Sequence, residues 1–443
     1  MQSASTRAAS AGFAGRFAGF RAGTLPQSLL RIRPERNRGL VYQSRPHPVG
    51  ERTRLRVILY GRCFQDGSAF RGVGRYARGL LRGFAELREP GFEIAVGLER
   101  EAAVRAESLA EVDSDGRLFG APTHSLPLDL RKLGWRGGRV LDAGLRSLAA
   151  DLFHLPAQFY AYRRLRIATP YVITMHDLTP FLEPPNGRWL RHRASRLRRL
   201  AQFCRRARRV ITVSQHGAAQ CQDLLGLDPK QISVIPHGVE RHFDAEPRDD
   251  AATLQRHALA RPYFLYVGGD DPHKNLDVLF EAFRRFRAAE TGDHELVLVG
   301  RHAAAGEPPD ARMRALGFVA DADLPALYRG ARGFVSLSRH EGFALPILEA
   351  MACGTPIVAA RASAMPETLG DAGLLADPKD PADAARCLLR LVREPQLWRE
   401  LREQGLKRAA EFSWERAAAA TLDTYRHALR SGTCSTGSSP RET

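Results

Sequence analysis

Two glutamates eight positions apart, Glu341 and Glu349, sit in the segment His340-Glu-Gly-Phe-Ala-Leu-Pro-Ile-Leu-Glu-Ala-Met-Ala-Cys-Gly-Thr-Pro-Ile-Val358. Gly342 turns the chain, Pro346 suits the first turn of a helix, and Gly354 ends that helix after Cys353. The spacing puts Glu341 in the loop before the helix and Glu349 one turn inside it. The amides from Phe343 to Leu345 then have no acceptor within the helix and, with the helix dipole, form an anion site. A ligand joining phosphate to vicinal hydroxyls would use both features, amides for the phosphate and carboxylates as acceptors for sugar hydroxyls. A surface helix bearing an exposed glutamate fits the same pattern, and the residues alone leave both readings open.

Three further groups stand where chemistry is commonly placed, in loops just after strand-like runs. His176-Asp177 follows Tyr171 to Met175, and Gly268-Gly-Asp-Asp-Pro-His-Lys-Asn275 follows an apolar run from Tyr263 and holds Lys274, one of five lysines in the chain. His176, like His154 at the end of another run, reads either as a cleft residue or as a satisfied core histidine. Gly72-Val-Gly-Arg-Tyr-Ala77 satisfies G-x-G-x-x-A, the fingerprint of dinucleotide binding. That fingerprint follows its strand at once, whereas eleven residues separate Tyr60 from Gly72, so a nicotinamide dehydrogenase is disfavoured. His340-Glu341 starts a zinc-protease motif that Ala344 breaks, no lysine precedes Ser or Thr as a P-loop needs, and no G-x-S-x-G occurs. Asp113-Ser-Asp115 and Asp321-Ala-Asp323 spell D-x-D but read as loop or helix-start residues. No metal is expected.

The elements that must hold these groups alternate in type. Short β-branched and aromatic runs at Leu55 to Tyr60, Glu93 to Val96, Asp151 to His154, Tyr171 to Met175, Val210 to Val213 and Ile232 to Ile235 are separated by amphipathic stretches. After a polar stretch the alternation restarts with Tyr263 to Gly268, Glu295 to Gly300, Gly317 to Val319, Gly333 to Leu337 and Pro356 to Ala360. This predicts an α/β protein with two Rossmann-like doubly wound domains, residues 54–245 and 258–412, facing each other across a cleft. A helix over 413–430 is expected to return toward the first domain, and residues 1–53 and 431–443 read as a disordered or mis-assigned extension and a disordered tail. Ligands of doubly wound sheets bind beyond the carboxyl ends of the strands, so the cleft is the expected site.

The chain has 443 residues and a formal net charge of +17, which raises nucleic-acid binding. The charge is local, with +7 in residues 1 to 50 and ten arginines without an acid from Arg188 to Arg209. With 66 basic residues and only five lysines the bias follows genome composition, and nucleic acid is not expected as a partner. The Arg188 to Arg209 stretch has an apolar stripe, Leu190, Ala194, Leu197, Ala201 and Cys204, opposite a cationic face suited to an anionic membrane surface. No apolar run is long enough to span a bilayer. Six cysteines without a C-x-x-C pair point to free thiols in a reducing cytoplasm.

The block E-G-F-x-L-P-x-L-E-A-M-A-C-G-T-P from Glu341 to Pro356 resembles the donor site of retaining family 4 glycosyltransferases of the GT-B fold. The resemblance runs from about Leu55 to Leu429 through Gly72-Val-Gly-Arg-Tyr76, His176-Asp177, Val213-Ser214, Pro236-His-Gly-Val239, Gly268 to Asn275 and Phe412-Ser-Trp-Glu415. It implies that Glu341 holds hydroxyls of the donor hexose near its anomeric carbon, Glu349 binds the ribose, and Phe343, Ala344 and Leu345 offer amides to the diphosphate. It further implies that Lys274 neutralises the leaving diphosphate, His176 contacts the transferred sugar, and Gly72, Gly74 and Gly268 let the donor approach closely. Ala344 stands where the family commonly has glycine, His273 where arginine is frequent, and Gly269 where some relatives carry a phosphate-binding arginine. The H-D-L-T-P and P-H-K-N stretches resemble mannosyltransferase-type members that build surface polysaccharide. The implied activity is hexose transfer from a nucleoside diphosphate sugar to a saccharide or lipid-linked acceptor, without a cofactor, in the cytoplasm or on the inner face of its membrane. An epimerase or hydrolase of the same fold, or a non-catalytic partner protein, is the alternative.

Overall fold

The computed structural model describes residues 54–65, 72–99, 117–126, 137–158, 167–183, 187–300 and 310–430. The expected extension and tail, Cys434 and the Asp113-Ser-Asp115 motif lie outside these residues.

The first half is a sheet of eight strands: β1 (Leu55–Tyr60), β2 (Phe92–Glu99), β3 (Arg117–Leu118), β4 (Ala121–Leu126), β5 (Leu152–Leu155), β6 (Tyr171–Met175), β7 (Arg209–Thr212) and β8 (Ile232–Val234). They lie in the order β3-β4-β2-β1-β5-β6-β7-β8, parallel except for the β3–β4 pair. The second sheet has β9 (Tyr263–Val267), β10 (Glu295–Val299), β11 (Met313–Gly317), β12 (Gly333–Ser336), β13 (Ile357–Ala360) and β14 (Gly373–Ala376), all parallel in the order β11-β10-β9-β12-β13-β14.

Parallel strands are covered on both faces, so alternate residues must feed two separate cores. In β1, Val57 and Leu59 join one cluster with the Gly72–Leu87 helix, while Ile58 and Tyr60 join another under the Gly187–Arg206 and Gln215–Leu225 helices. In β9, Tyr263 and Leu265 face the Leu345–Ala352 helix, and Phe264 and Tyr266 face the Leu276–Ala289 helix.

The last helix, Trp414–Arg430, belongs in space to the first sheet: Trp414, Ala418, Leu422 and Tyr425 complete the core beside Leu80 and Phe84. Two glycines make this possible. A Cβ at Gly79 would stand 2.0 Å from the Trp414 ring, and one at Gly83 would stand 2.3 Å from the Trp414 carbonyl oxygen.

Some expectations shift. The strand placed at Gly317 to Val319 is Met313–Gly317, because Gly317 turns to φ +68° and throws Phe318, 80% exposed, off the end. The strands β3, β4 and β14 were not expected: β3 has only two residues and β4 carries Pro122, Thr123, His124 and Ser125, so neither makes an apolar run, while β14 is a short apolar run that was missed. In the arginine-rich helix Ala194 is exposed, but Ala201 and Cys204 of the expected stripe are buried together with Leu200 and Phe203, and Leu197 packs against them. Five cysteines, Cys63, Cys204, Cys221, Cys353 and Cys387, are buried free thiols. Among the described residues no helix is long and apolar enough to cross a membrane.

Candidate active site

In the second sheet the strand order reverses between β9 and β12, the switch point beyond whose loops doubly wound sheets place their ligands. Those loops carry Gly268 to Asn275 and Leu337 to Leu345. Asn275, at φ +61°, staples them: its Nδ2 donates to the carbonyls of Leu337 (2.9 Å) and Pro378 (2.7 Å). The Arg339 amide donates to the His273 carbonyl (2.7 Å). Gly268 sits too close to its neighbours for a side chain, since a Cβ would lie 2.5 Å from the Tyr266 hydroxyl. The stapled loops bring Lys274 Nζ to 2.7 Å from Oε1 of Glu341.

The chain reaches the Leu345–Ala352 helix through Ala344, which takes φ +65°, ψ +60°. That left-handed conformation suits glycine and costs an alanine about 1–2 kcal/mol, so the residue at the family's glycine position keeps the glycine shape. The loop is further tied by Ser363, whose Oγ accepts from the Glu341 amide (3.1 Å) and donates to its carbonyl (2.6 Å), and by Thr368, which donates to the Phe343 carbonyl (2.6 Å). The amides of Phe343, Ala344 and Leu345 donate to no acceptor among the described residues. They remain open for an anion at the helix N-terminus.

The first half closes over this loop. A Cβ on Gly342 would stand 1.8 Å from the His176 carbonyl oxygen, so only glycine permits the approach of the His176-Asp177 turn. His176 is buried, and its Nε2 donates to the Pro156 carbonyl (2.8 Å), which leaves Nδ1 as an acceptor. Burial holds its pKa below the usual histidine range, so the ring is neutral. His237, of the Pro236-His-Gly-Val239 stretch, lies between His176 (ring centroids 5.4 Å apart, tilted) and Phe343 (5.0 Å, edge-on). His154 is a core residue, with Nδ1 2.6 Å from the Tyr425 hydroxyl and Nε2 2.8 Å from Thr174 Oγ1.

Gly72 and Gly74, expected in a loop, form the first turn of the Gly72–Leu87 helix. A Cβ on Gly72 would meet nothing within 4 Å. The residue of this turn that reaches the site is its neighbour Arg75, which nothing in the sequence singles out. Arg75 crosses to the other half, where Nη1 donates to Oε1 of Glu349 and Nη2 to Asp321 (3.1 Å). Glu349 is 4% exposed and also accepts from the Tyr328 hydroxyl (3.0 Å). Burial raises its pKa against the pull of Arg75.

Two more links between the halves were missed. Arg339 donates from Nε and Nη2 to Glu183 (both 2.8 Å), and Glu367 accepts from the amides of Gln215 (2.8 Å) and His216 (3.2 Å) at the start of the Gln215–Leu225 helix. An arginine in a chain this rich in arginine gave no signal of its partner.

Glu341 feels opposed effects. Burial pushes its pKa up, but Lys274, Ser338 and His273 outweigh it and hold the carboxyl below the usual range, ionised at neutral pH. Burial, helped by the Lys274 charge, lowers the His273 pKa, so His273 brings no full positive charge where relatives often have arginine. Asp323 is occupied by Arg256 (2.8 Å) and His257 (2.9 Å), and Asp321 by Arg75, so the D-x-D pair serves ion pairs. No group of three or more His, Cys, Asp or Glu able to hold a metal is gathered among the described residues. The arrangement offers open amides and a lysine for phosphate, and carboxylates for hydroxyls.

A family model for group 1 glycosyl transferases matches residues 261–394 and one for glycosyltransferase family 4 matches residues 70–243. O-antigen chain mannosyltransferase B of Escherichia coli is 30% identical over 375 residues, covering 80% of this chain and 96% of that protein. The chain belongs to glycosyltransferase family 4. Within it, the MMP α-(1→4)-mannosyltransferase of Mycolicibacterium hassiacum is 34% identical over 233 residues, 50% of this chain and 54% of that protein. The fold is GT-B. Sucrose-phosphate synthase from Thermosynechococcus elongatus superposes with a TM-score of 0.66 at 20% identity, over 86% of this chain and 100% of that one. Anabaena HepE, in complex with UDP and glucose, gives 0.64 at 20% identity, over 84% and 99%.

Proposed function

We propose that this family 4 glycosyltransferase is a retaining hexosyltransferase. It moves a hexose, with mannose the favoured sugar, from a nucleoside diphosphate sugar to a saccharide or lipid-linked saccharide acceptor in surface polysaccharide biosynthesis. The observation that carries the reading is the Lys274–Glu341 pair, 2.7 Å apart, beside the open amides of the Leu345–Ala352 helix. The diphosphate lies on those amides and on Lys274, the ribose on Glu349, and the hexose hydroxyls on Glu341. His176 Nδ1 accepts from the hexose.

The anomeric carbon–oxygen bond to the diphosphate breaks while the acceptor oxygen bonds to that carbon from the same face, and the acceptor proton passes to the departing diphosphate oxygen. Products are the glycoside and the nucleoside diphosphate. The protein's part is positioning and charge stabilisation. Lys274 and the helix amides supply positive potential without an essential metal or cofactor. Mannose is supported by the O-antigen mannosyltransferase relative, which covers 80% of the chain. Arg191, Arg198, Arg199, Arg206 and Arg208 are exposed on or just after the Gly187–Arg206 helix. They form the face that meets the anionic inner leaflet and brings the site to a lipid-linked acceptor.

The test is thermal unfolding of the full chain with UDP, GDP, ADP and dTDP, each with EDTA and with magnesium. A nucleotide at a hundred times its Kd adds about 2.7 kcal/mol, a shift of a few degrees. One base giving that shift in EDTA names the donor class; no shift with any nucleotide refutes the donor site, and a shift in magnesium alone refutes metal independence.

A further inference from the structure

Glu349 is expected to take the ribose hydroxyls, yet its two oxygens are already occupied, Oε2 by Tyr328 and Oε1 by Arg75 from the opposite half. A ribose that reaches Glu349 must displace the guanidinium. Arg75 is only 17% exposed at its side chain, its second partner Asp321 is 52% exposed, and its guanidinium carbon lies 5.8 Å from the Phe243 ring. Once off Glu349 it is a poorly hydrated cation held by one solvated carboxylate.

The nearest new anion is the donor itself. Glu349 lies four residues beyond Leu345, about 6 Å along the helix axis from the open N-terminal amides. That spacing is on the order of one helical turn, within the sweep of a long arginine side chain, so a change of rotamer can bring the planar fork toward a diphosphate seated there and let it donate two parallel hydrogen bonds. The site also has room for this charge. Burial keeps His273 neutral, Gly269 has no side chain, and Lys274 is shared with Glu341.

Resting on the donor-site reading, we propose that Arg75 is an exchangeable latch. Without nucleotide it ties the halves together through Glu349, and with nucleotide it yields that carboxylate to the ribose and binds the diphosphate. Arg75 is therefore a donor-positioning residue contributed by the half otherwise assigned to the acceptor, and it reports an occupied donor site to both halves.

The latch separates the two parts of the ligand, and so does its test. Calorimetric titration of the full chain, as wild type, Arg75→Gln and Arg75→Lys, uses UDP, GDP, uridine and guanosine. Removing one charge-assisted phosphate contact weakens the diphosphate by roughly ten- to a hundredfold in Arg75→Gln. In the same variant the bare nucleoside binds at least as tightly as in wild type, because its competitor for Glu349 is gone. Arg75→Lys recovers part of the diphosphate affinity.

Tighter binding of nucleoside and diphosphate alike in Arg75→Gln makes Arg75 a competitor only, and overturns the exchange. Equal weakening of both makes it a structural tie, and unchanged binding of both removes any role; each overturns the proposal while leaving the donor site intact. Wild type that binds neither UDP nor GDP overturns the donor-site reading for these bases and the latch with it.

Discussion

Acid should destabilise this protein well above the carboxylate range, because three histidines are buried neutral around one tyrosine. The rings of His154, His176 and His237 lie 6.5, 4.9 and 5.1 Å from that of Tyr76 and are 0, 8 and 4% exposed. Burial, helped by the neighbouring His176, depresses His154 to about 3 and His237 well below the usual value; burial also lowers His176. Each folded-state pKa lies below the unfolded one, so the stability is whole above about pH 6.5 and is lost as pH falls, when only the unfolded chain takes up protons. Integrating from pH 6.5 to 5.5 gives about 1 kcal/mol per histidine that stays neutral. His154 and His237 together contribute about 2 kcal/mol, and His176 acts in the same direction. Glu349 works the other way, because its raised pKa adds stability on approach to the carboxylate range. Urea unfolding at pH 7.5, 6.5 and 5.5, followed by tryptophan fluorescence, measures the loss. His237→Phe keeps a ring between His176 and Phe343 and should lessen the loss between pH 6.5 and 5.5 by about 1 kcal/mol. Equal stability at the two lower pH values, or an unchanged slope in His237→Phe, would refute the reasoning.

Other consequences are as direct. Lys274→Ala and Glu341→Ala should each lower turnover about a hundredfold, the scale of removing a charge stabiliser at a reacting centre; near-normal turnover of both in a donor–acceptor assay removes the mechanism. Gly342→Ala drives a Cβ into the His176 carbonyl and should open the loop, with turnover down more than about tenfold from misplacement at the site. Gly405→Ala, whose Cβ would meet Met351 at an ordinary 3.6 Å inside a helix, should instead gain up to about 1 kcal/mol in the same melts; equal Tm and activity in the two variants contradicts the close approach. Replacing Arg191, Arg198, Arg199 and Arg206 by Gln should abolish sedimentation with anionic liposomes, at about 1 kcal/mol per basic residue near the surface. Wild-type sedimentation by that variant sinks the membrane face.

What the sequence made legible follows from what a local pattern can encode. Leu55–Tyr60 and Tyr171–Met175 were readable to the residue because strands buried on both faces are nearly continuous apolar runs, broken here only by Arg56 and Thr174. The Leu345–Ala352 helix was framed by Pro346 and Gly354, and its two carboxylates announced a polar ligand. The partners of those carboxylates were another matter. Arg75 with Glu349, Arg339 with Glu183, and Glu367 with the amides of Gln215 and His216 join residues 151 to 274 positions apart. Such pairs depend on how the halves meet, which no local spacing records. Gly72 and Gly74 lie in the first turn of a helix although glycine is a poor helix former, because packing of Val73, Tyr76, Ala77 and Leu80 on the sheet overrides that preference. Ala344 shows the reverse limit, since its left-handed backbone contradicts its own residue type and is held by Ser363 and Thr368.

The chain passes between the halves twice, and the two passages touch. Gly238 packs against Trp414, where a Cβ would stand 2.2 Å from its amide nitrogen, and the Val239 amide reaches the Phe412 carbonyl at 3.5 Å. During synthesis the order of events is therefore inverted. The first sheet leaves the ribosome with the apolar groove beside Gly79 and Gly83 unfilled, and the helix that fills it is made after the whole second sheet. The earlier half must wait, half-covered, for a helix made after the second sheet. A stop codon just after Phe412 would spare the second sheet and strip the first, so damage at the carboxyl end would be felt at the amino-terminal core.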